Sequence, residues 1–101
     1  MPTTPLSPTG VIQGTLRLGI TDGAGNPLCL DDDNNTSPGT AAIVWPCGAT
    51  NPNQQWTLNP DGSVRSTASG LCLDVFGGAT TNGTPLDQWP CTGNSNQRWI
   101  R

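Results

Sequence analysis

The sequence predicts an all-β fold of short strands, a sandwich or barrel, on three observations. First, the stretch from Leu28 to Trp56 is repeated from Leu71 to Trp99, and a period of this size marks a fold built from supersecondary units. Second, no window of 11 residues carries a helical apolar period. Third, 13 glycines and 10 prolines are spread along 101 residues, giving turn signals every 8–12 residues between short apolar runs.

The elements follow in order. Residues 1–14 are Pro/Thr-rich, without a charged n-region or an apolar run, and read as an interdomain linker rather than a secretory signal. The first unit occupies 15–58. TLRLGI at 15–20 alternates and reads as a strand, and TDGAGNP is its turn. LCLD at 28–31 is a short strand, AAIVW at 41–45 returns, and NQQWTL at 53–58 closes the unit. The second unit occupies 59–101. Asp61-Gly62 turns into the strand SVRS, PLDQW at 85–89 is the return strand, and NQRWI at 96–100 is the last. Pro38-Gly39 suits a type II turn, and its counterpart Asn82-Gly83 a type I′ hairpin.

Composition narrows the function. Four arginines face seven aspartates, with no lysine, glutamate, histidine or tyrosine, for a net charge of -3. That balance argues against nucleic acid and against anionic membrane surfaces as partners. No stretch approaches the roughly 20 apolar residues of a membrane span. Without histidine, lysine or glutamate, the usual nucleophile-and-base pairs are absent, so no catalytic residue is assigned.

Four cysteines occur as equivalent pairs, one per unit. Zinc is disfavoured by the lack of a CxxC pair and of histidine. Of the three connectivities that four cysteines allow, symmetry selects Cys29–Cys47 and Cys72–Cys91, since a duplicated unit should duplicate its staple. Two such bridges place the chain in an oxidising compartment and imply secretion. The run Asp31-Asp32-Asp33-Asn34-Asn35 is acidic enough to suggest calcium, but an EF-hand loop would need Gly and Glu where Thr36 and Ala42 stand. It reads as a solvated loop, and neither metal nor cofactor is expected.

Within each unit the order is C-L-D, a Gly turn, W-P-C, then N-Q-x-W. This resembles the repeat of ricin-B-type lectins, the family 13 carbohydrate-binding modules. Their Gln-x-Trp signature is present twice, as Gln54-Gln55-Trp56 and Gln97-Arg98-Trp99, and the likeness covers about 15–101. The resemblance implies a β-trefoil of three repeats around a pseudo-threefold axis. Two repeats leave barrel edges unpaired. The chain is then a fragment, or three copies associate as a trimer to make two trefoils, or the N-terminal segment adds strands.

The resemblance also implies a sugar site in each repeat. In the second, Asp74 would accept hydrogen bonds from two adjacent hydroxyls, Trp89 would stack on the sugar ring, Asn96 would bond a hydroxyl, and Gln97 would orient Asp74. Asp87 stands where the family often has glutamine. Alternation along PLDQW sends Asp87 and Trp89 outward and Leu86 inward, so that Gln88 is either a buried amide or a local irregularity. In the first repeat the equivalents are Asp31, Trp45, Asn53 and Gln54, with Ile43 in place of Asp87, so this site is expected to be weaker. Trp56 and Trp99 read as core.

The implied function is a lectin-like module with no enzymatic activity. It would recognise galactose-, xylose- or mannose-type glycans through shallow pockets and be tethered to a glycan-active enzyme or toxin. The rival class is a trefoil scaffold that binds protein and no sugar.

Overall fold

A computed structural model describes residues 11–100. Eight short strands run through them: β1 (Ile12–Gly14), β2 (Arg17–Thr21), β3 (Pro27–Asp31), β4 (Ile43–Pro46), β5 (Trp56–Leu58), β6 (Val64–Ser66), β7 (Cys72–Val75) and β8 (Leu86–Trp89). All pairings are antiparallel, in a five-stranded sheet ordered β1-β5-β6-β7-β8 and a three-stranded sheet ordered β2-β3-β4. The segment 39–42 joins the two sheets. Gly39 donates to the Gln88 carbonyl, Gln88 to that of Thr40 and Ala42 to that of Leu86, and Ala41 bridges to Asp87.

The repeat is visible as geometry. Cys29 pairs with Trp45 and Asp31 with Ile43 across β3–β4. Cys72 pairs with Trp89 and Asp74 with Asp87 across β7–β8. The indole of Trp56 donates to the Leu30 carbonyl, and that of Trp99 to the Leu73 carbonyl. Both disulfides form within a repeat, Cys29–Cys47 and Cys72–Cys91.

The core is small, as a short chain dictates. Trp56, Val64 and Leu73 are buried together, with Leu16, Leu30, Ala42, Leu58, Leu86 and Trp99 packed around them. Polar links supplement it. Gln88 is fully buried where an aliphatic side chain would pack. Its Nε2 donates to the carbonyls of Asp32 and Asn35 and to Thr40 Oγ1, and its Oε1 accepts from Ser69 Oγ. Asp32 in turn accepts from Ser66 Oγ. An amide supplies both donors and an acceptor, so one side chain fastens the first-repeat loop to the second repeat.

Four expectations are corrected. The linker-like stretch 1–14 ends earlier than its composition suggests, because Ile12–Gly14 pair with β5 as β1; residues 1–10 lie outside the described residues. The Asn-Gln pairs stand in single 3-10 turns, Pro52–Gln54 and Ser95–Gln97, instead of strands. Pro52 has no N–H to give a ladder, and Asn51 Oδ1 caps the Asn53 N–H. The last strand expected at 96–100 does not form. Trp56–Leu58 is flanked by β1 and β6, whereas among the described residues of the matching segment Trp99 makes one backbone–backbone bond, from its N–H to the Gly62 carbonyl, and no strand ladder. Finally, Asn82-Gly83 is not type I′, which needs positive φ at both positions. Only Gly83 has it, at 88°, matching Gly39 at 86° after Pro38. Thr81–Thr84 closes a turn inside a longer loop, so nothing requires the twist of a two-residue hairpin.

Candidate functional site

In each repeat the signature glutamine holds an aspartate in place. Gln97 Nε2 donates to Asp74 Oδ2 at 2.8 Å and to the Pro90 carbonyl at 3.0 Å, while its Oε1 accepts from Thr92 N–H at 2.8 Å. Gln54 Nε2 donates to Asp31 Oδ2 at 3.0 Å and to the Pro46 carbonyl at 3.1 Å, and its Oε1 accepts from Gly48 N–H at 2.9 Å. Both glutamines are buried. The 3-10 turn before each one aims its amide back at the strand carrying the aspartate. A carboxylate fixed this way presents its remaining lone pairs in one direction at no further entropic cost.

Beside Asp74 a cavity of about 320 Å³ opens to solvent, lined by Asp74, Phe76, Gly77, Asp87, Trp89, Thr92, Asn94 and Asn96. Four residues singled out from sequence meet here: Asp74, Asp87, Trp89 and Asn96. Gln97 stands behind Asp74. Asn96 shares the positioning work, since its Nδ2 donates to Asp74 Oδ2 at 3.1 Å and to the Val75 carbonyl at 3.3 Å. Trp89 is 45% exposed, with Cζ3 beside the Gly39 backbone, where an added Cβ would lie 3.6 Å away.

Alternation along β8 holds, with Gln88 inward and Trp89 outward, but Asp87 is not in open solvent. It lies on the cavity floor at 5% exposure. Its Oδ1 is buried without a hydrogen-bond partner. Burial, then the hydrogen bond and charge of Asp74 beside it, pushes its carboxyl up to about 6.

Phe76 was missed from sequence. It lines the cavity and is 55% exposed, opposite in character to Asp33 at the same place in the first repeat. The signal was present: this is the single phenylalanine of the chain, two residues past Asp74 and followed by Gly77-Gly78. Both glycines take positive φ, at 64° and 66°, a turn that residues with a Cβ resist. Asn94, matching Asn51, was also missed.

The first-repeat cavity is about 240 Å³ and is lined by Asp31, Asp33, Asn34, Ile43, Trp45, Asn51 and Asn53. Ile43 offers no polar group opposite Asp31. The structure adds a second handicap: the Asp33 N–H donates to Asp31 Oδ1 at 2.6 Å, so the oxygen that Gln54 leaves free is engaged by its own loop. That loop holds Asp33 and Asn34 at φ 59° and 57°, a conformation that Asp and Asn tolerate better than most residues. Asp31 and Asp32 of the acidic run are buried, which corrects its reading as a wholly solvated loop.

The sequence model of the ricin-type beta-trefoil lectin domain matches residues 18–101. Beta-galactoside-specific lectin 2 of Viscum album is 37% identical over 68 residues, 65% of this chain and 11% of that protein. Agglutinin-1 of Abrus precatorius is 40% identical over 72 residues, 69% of this chain and 12% of that protein. The alignments thus span only about a tenth of the length of these relatives. The beta-trefoil lectin of the Vibrio vulnificus hemolysin/cytolysin, solved with N-acetyl-D-lactosamine bound, superposes with a TM-score of 0.65 and 28% identity. The superposition covers 90% of this chain and 63% of that one, the share that two of three repeats would occupy. With the glutamine-held aspartates and the repeated strand register, these matches place the chain in the ricin-type β-trefoil lectin family, whose domains are carbohydrate-binding modules.

Proposed function

We propose that this module binds a galactose-type sugar in the second-repeat cavity and acts by binding alone. The observation that carries the reading is the convergence of a doubly positioned carboxylate, Asp74, with the exposed ring of Trp89 in one open cavity. Vicinal hydroxyls donate to Asp74, Trp89 covers the apolar face of the ring, and Asn94 and Asn96 supply amides at the rim. The galactose choice leans on one relative and one neighbour, whose names speak of β-galactoside and N-acetyl-D-lactosamine. Open sites of this size bind at about millimolar strength, near -4 kcal/mol each. The first-repeat cavity contributes less, for want of a polar residue at Ile43.

Catalysis by the carboxylate pair is disfavoured by its placement. Asp74 and Asp87 are register partners side by side on the cavity floor, whereas the two carboxyl groups of a glycosidase flank the scissile bond. Disulfides in both repeats favour an extracellular setting, and among the described residues no helix is long and apolar enough to cross a membrane. In our reading the module is attached to a glycan-active enzyme or toxin, in line with its small share of the relatives' length. Where no third repeat is present in the same polypeptide, three copies would complete two trefoils, a state that molar mass in solution would reveal.

The test is titration of the protein and of Asp74→Ala with methyl β-galactoside. The parent should bind and the variant should lose at least about tenfold in affinity, since a charge-assisted pair of bonds disappears. Equal binding by both would remove Asp74 from the site.

A further inference from the structure

The second-repeat cavity carries a charge imbalance that a neutral sugar leaves unmatched. Asp74 and Asp87, 4% and 5% exposed, stand opposite each other on its floor. Asp74 Oδ2 receives two amide donors, while Asp87 Oδ1 receives none. The other lining residues are Phe76, Gly77, Trp89, Thr92, Asn94 and Asn96, with no cationic side chain. A buried carboxylate oxygen without a donor is costly, and like charges directly across a strand pair repel. A positively charged donor entering the cavity beside the two carboxylates offsets that repulsion. The half-exposed rings of Phe76 and Trp89 at its walls also attract cations through their π faces.

We propose that the second-repeat site selects sugars bearing a free, protonated amine over their neutral and N-acetylated counterparts. This rests on the cavity being the sugar site. An ammonium offers three donors and a charge, enough to engage the two aspartates together. Acetylation removes the charge and leaves one N–H. The first-repeat cavity is an internal contrast, because Ile43 replaces Asp87 opposite Asp31 and its second aspartate, Asp33, is an exposed loop residue instead of a buried partner across the strands.

The test compares methyl galactosaminide, methyl galactoside and methyl N-acetylgalactosaminide by calorimetry near neutral pH, at low and at high salt. The protein should bind the amine about tenfold more tightly than either of the others, with the advantage shrinking as salt rises. In Asp87→Asn the ratio of amine to neutral affinity should fall to about one, a ratio that cancels any general weakening of the site. An amine bound no better than the galactoside, an advantage indifferent to salt, or a ratio unchanged in Asp87→Asn overturns the inference and leaves the galactoside site standing. If none of the three sugars binds, the site itself is wrong, and the inference falls with it. Should Asp87→Asn fail to fold, the salt dependence of the parent protein decides.

Discussion

Asp74 and Asp87 face each other in register across β7 and β8, and both are almost wholly buried. Two like charges in that position are stable only if one of them is easily protonated. Asp87 is the one, with its carboxyl raised from 3.8 to about 6. A carboxyl raised in the fold binds its proton more tightly there than in the unfolded chain. Its contribution to stability is therefore full below about pH 3.8 and is lost as pH rises through about 6. Burial raises Asp32 as well, so it acts in the same direction. Asp22 and Asp61 are lowered by local hydrogen bonds and act oppositely, withdrawing support as pH falls below the usual carboxylate range. The protein should melt at a higher temperature near pH 5 than near pH 7. Asp87→Asn should raise the neutral-pH melting temperature and flatten, without abolishing, the slope. A parent Tm that is constant or rising over that interval would contradict the coupling.

Gln97 makes three bonds at no exposure, to Asp74, the Pro90 carbonyl and the Thr92 N–H. Gln97→Ala leaves Asp74 Oδ2 with Asn96 as its one amide donor and takes the side-chain partner from the Pro90 carbonyl and the Thr92 N–H, at a cost of about 2 kcal/mol. For a domain of this size that is a fall in Tm of roughly 10 °C or more. Gln54→Ala should cost a similar amount, because its three bonds are equivalent. The two variants should differ in binding. Below their melting temperatures Gln97→Ala weakens galactoside affinity, and Gln54→Ala leaves it near that of the parent. Calorimetry on both variants checks the pair.

Gln88 ties the first-repeat loop to β8 through Asp32, Asn35 and Thr40. Gln88→Leu gives the strand the aliphatic side chain it lacks but strands two loop carbonyls and the Ser69 hydroxyl. We expect a net loss of about 2 kcal/mol. Hydrogen exchange should show faster opening of residues 32–40 than of β7. Gln88→Leu equal to the parent in Tm and exchange would mean that the loop is held by other contacts.

Each disulfide closes a loop of similar length, with sequence separations of 18 and 19. Loop entropy gives each about 3 kcal/mol. Replacing Cys72 and Cys91 by Ala, or Cys29 and Cys47 by Ala, should therefore lower stability to about the same degree in denaturant titrations. Only the first pair abuts the second-repeat cavity, through Trp89, which pairs with Cys72 across the strands. Loss of galactoside binding in a folded sample should accompany that pair alone.

The repeat made much of this legible. Once Cys29 and Cys72, Trp45 and Trp89, and Asp31 and Asp74 were aligned, the run of short strands and the two staples followed from one pattern. What escaped the sequence depended on contacts made between the repeats or on turns set by single residues. Gln88 looked anomalous in a period-2 pattern because its partners, Asp32, Asn35 and Thr40, lie in the other repeat. Asn96 was read as a ligand contact, and the motif gave no sign that its Nδ2 also holds Asp74 and the Val75 carbonyl. Phe76 was overlooked because the motif gives no role to that position, and only the fold of Gly77-Gly78 brings it to the cavity wall. β1 was hidden in a Pro/Thr-rich context, since three residues carry no period of their own.

Sugar should enter the second-repeat cavity in preference to the first. The four tryptophans report on this directly. Trp56 and Trp99 donate their indole N–H groups to backbone carbonyls, while Trp89 and Trp45 stand exposed in the two cavities. In an NMR titration with methyl β-galactoside, the Trp89 indole signal should move saturably at about millimolar concentration, with Trp45 shifting only at higher concentration. Saturable movement of Trp45 with Trp89 stationary, or no movement of either, would contradict the account.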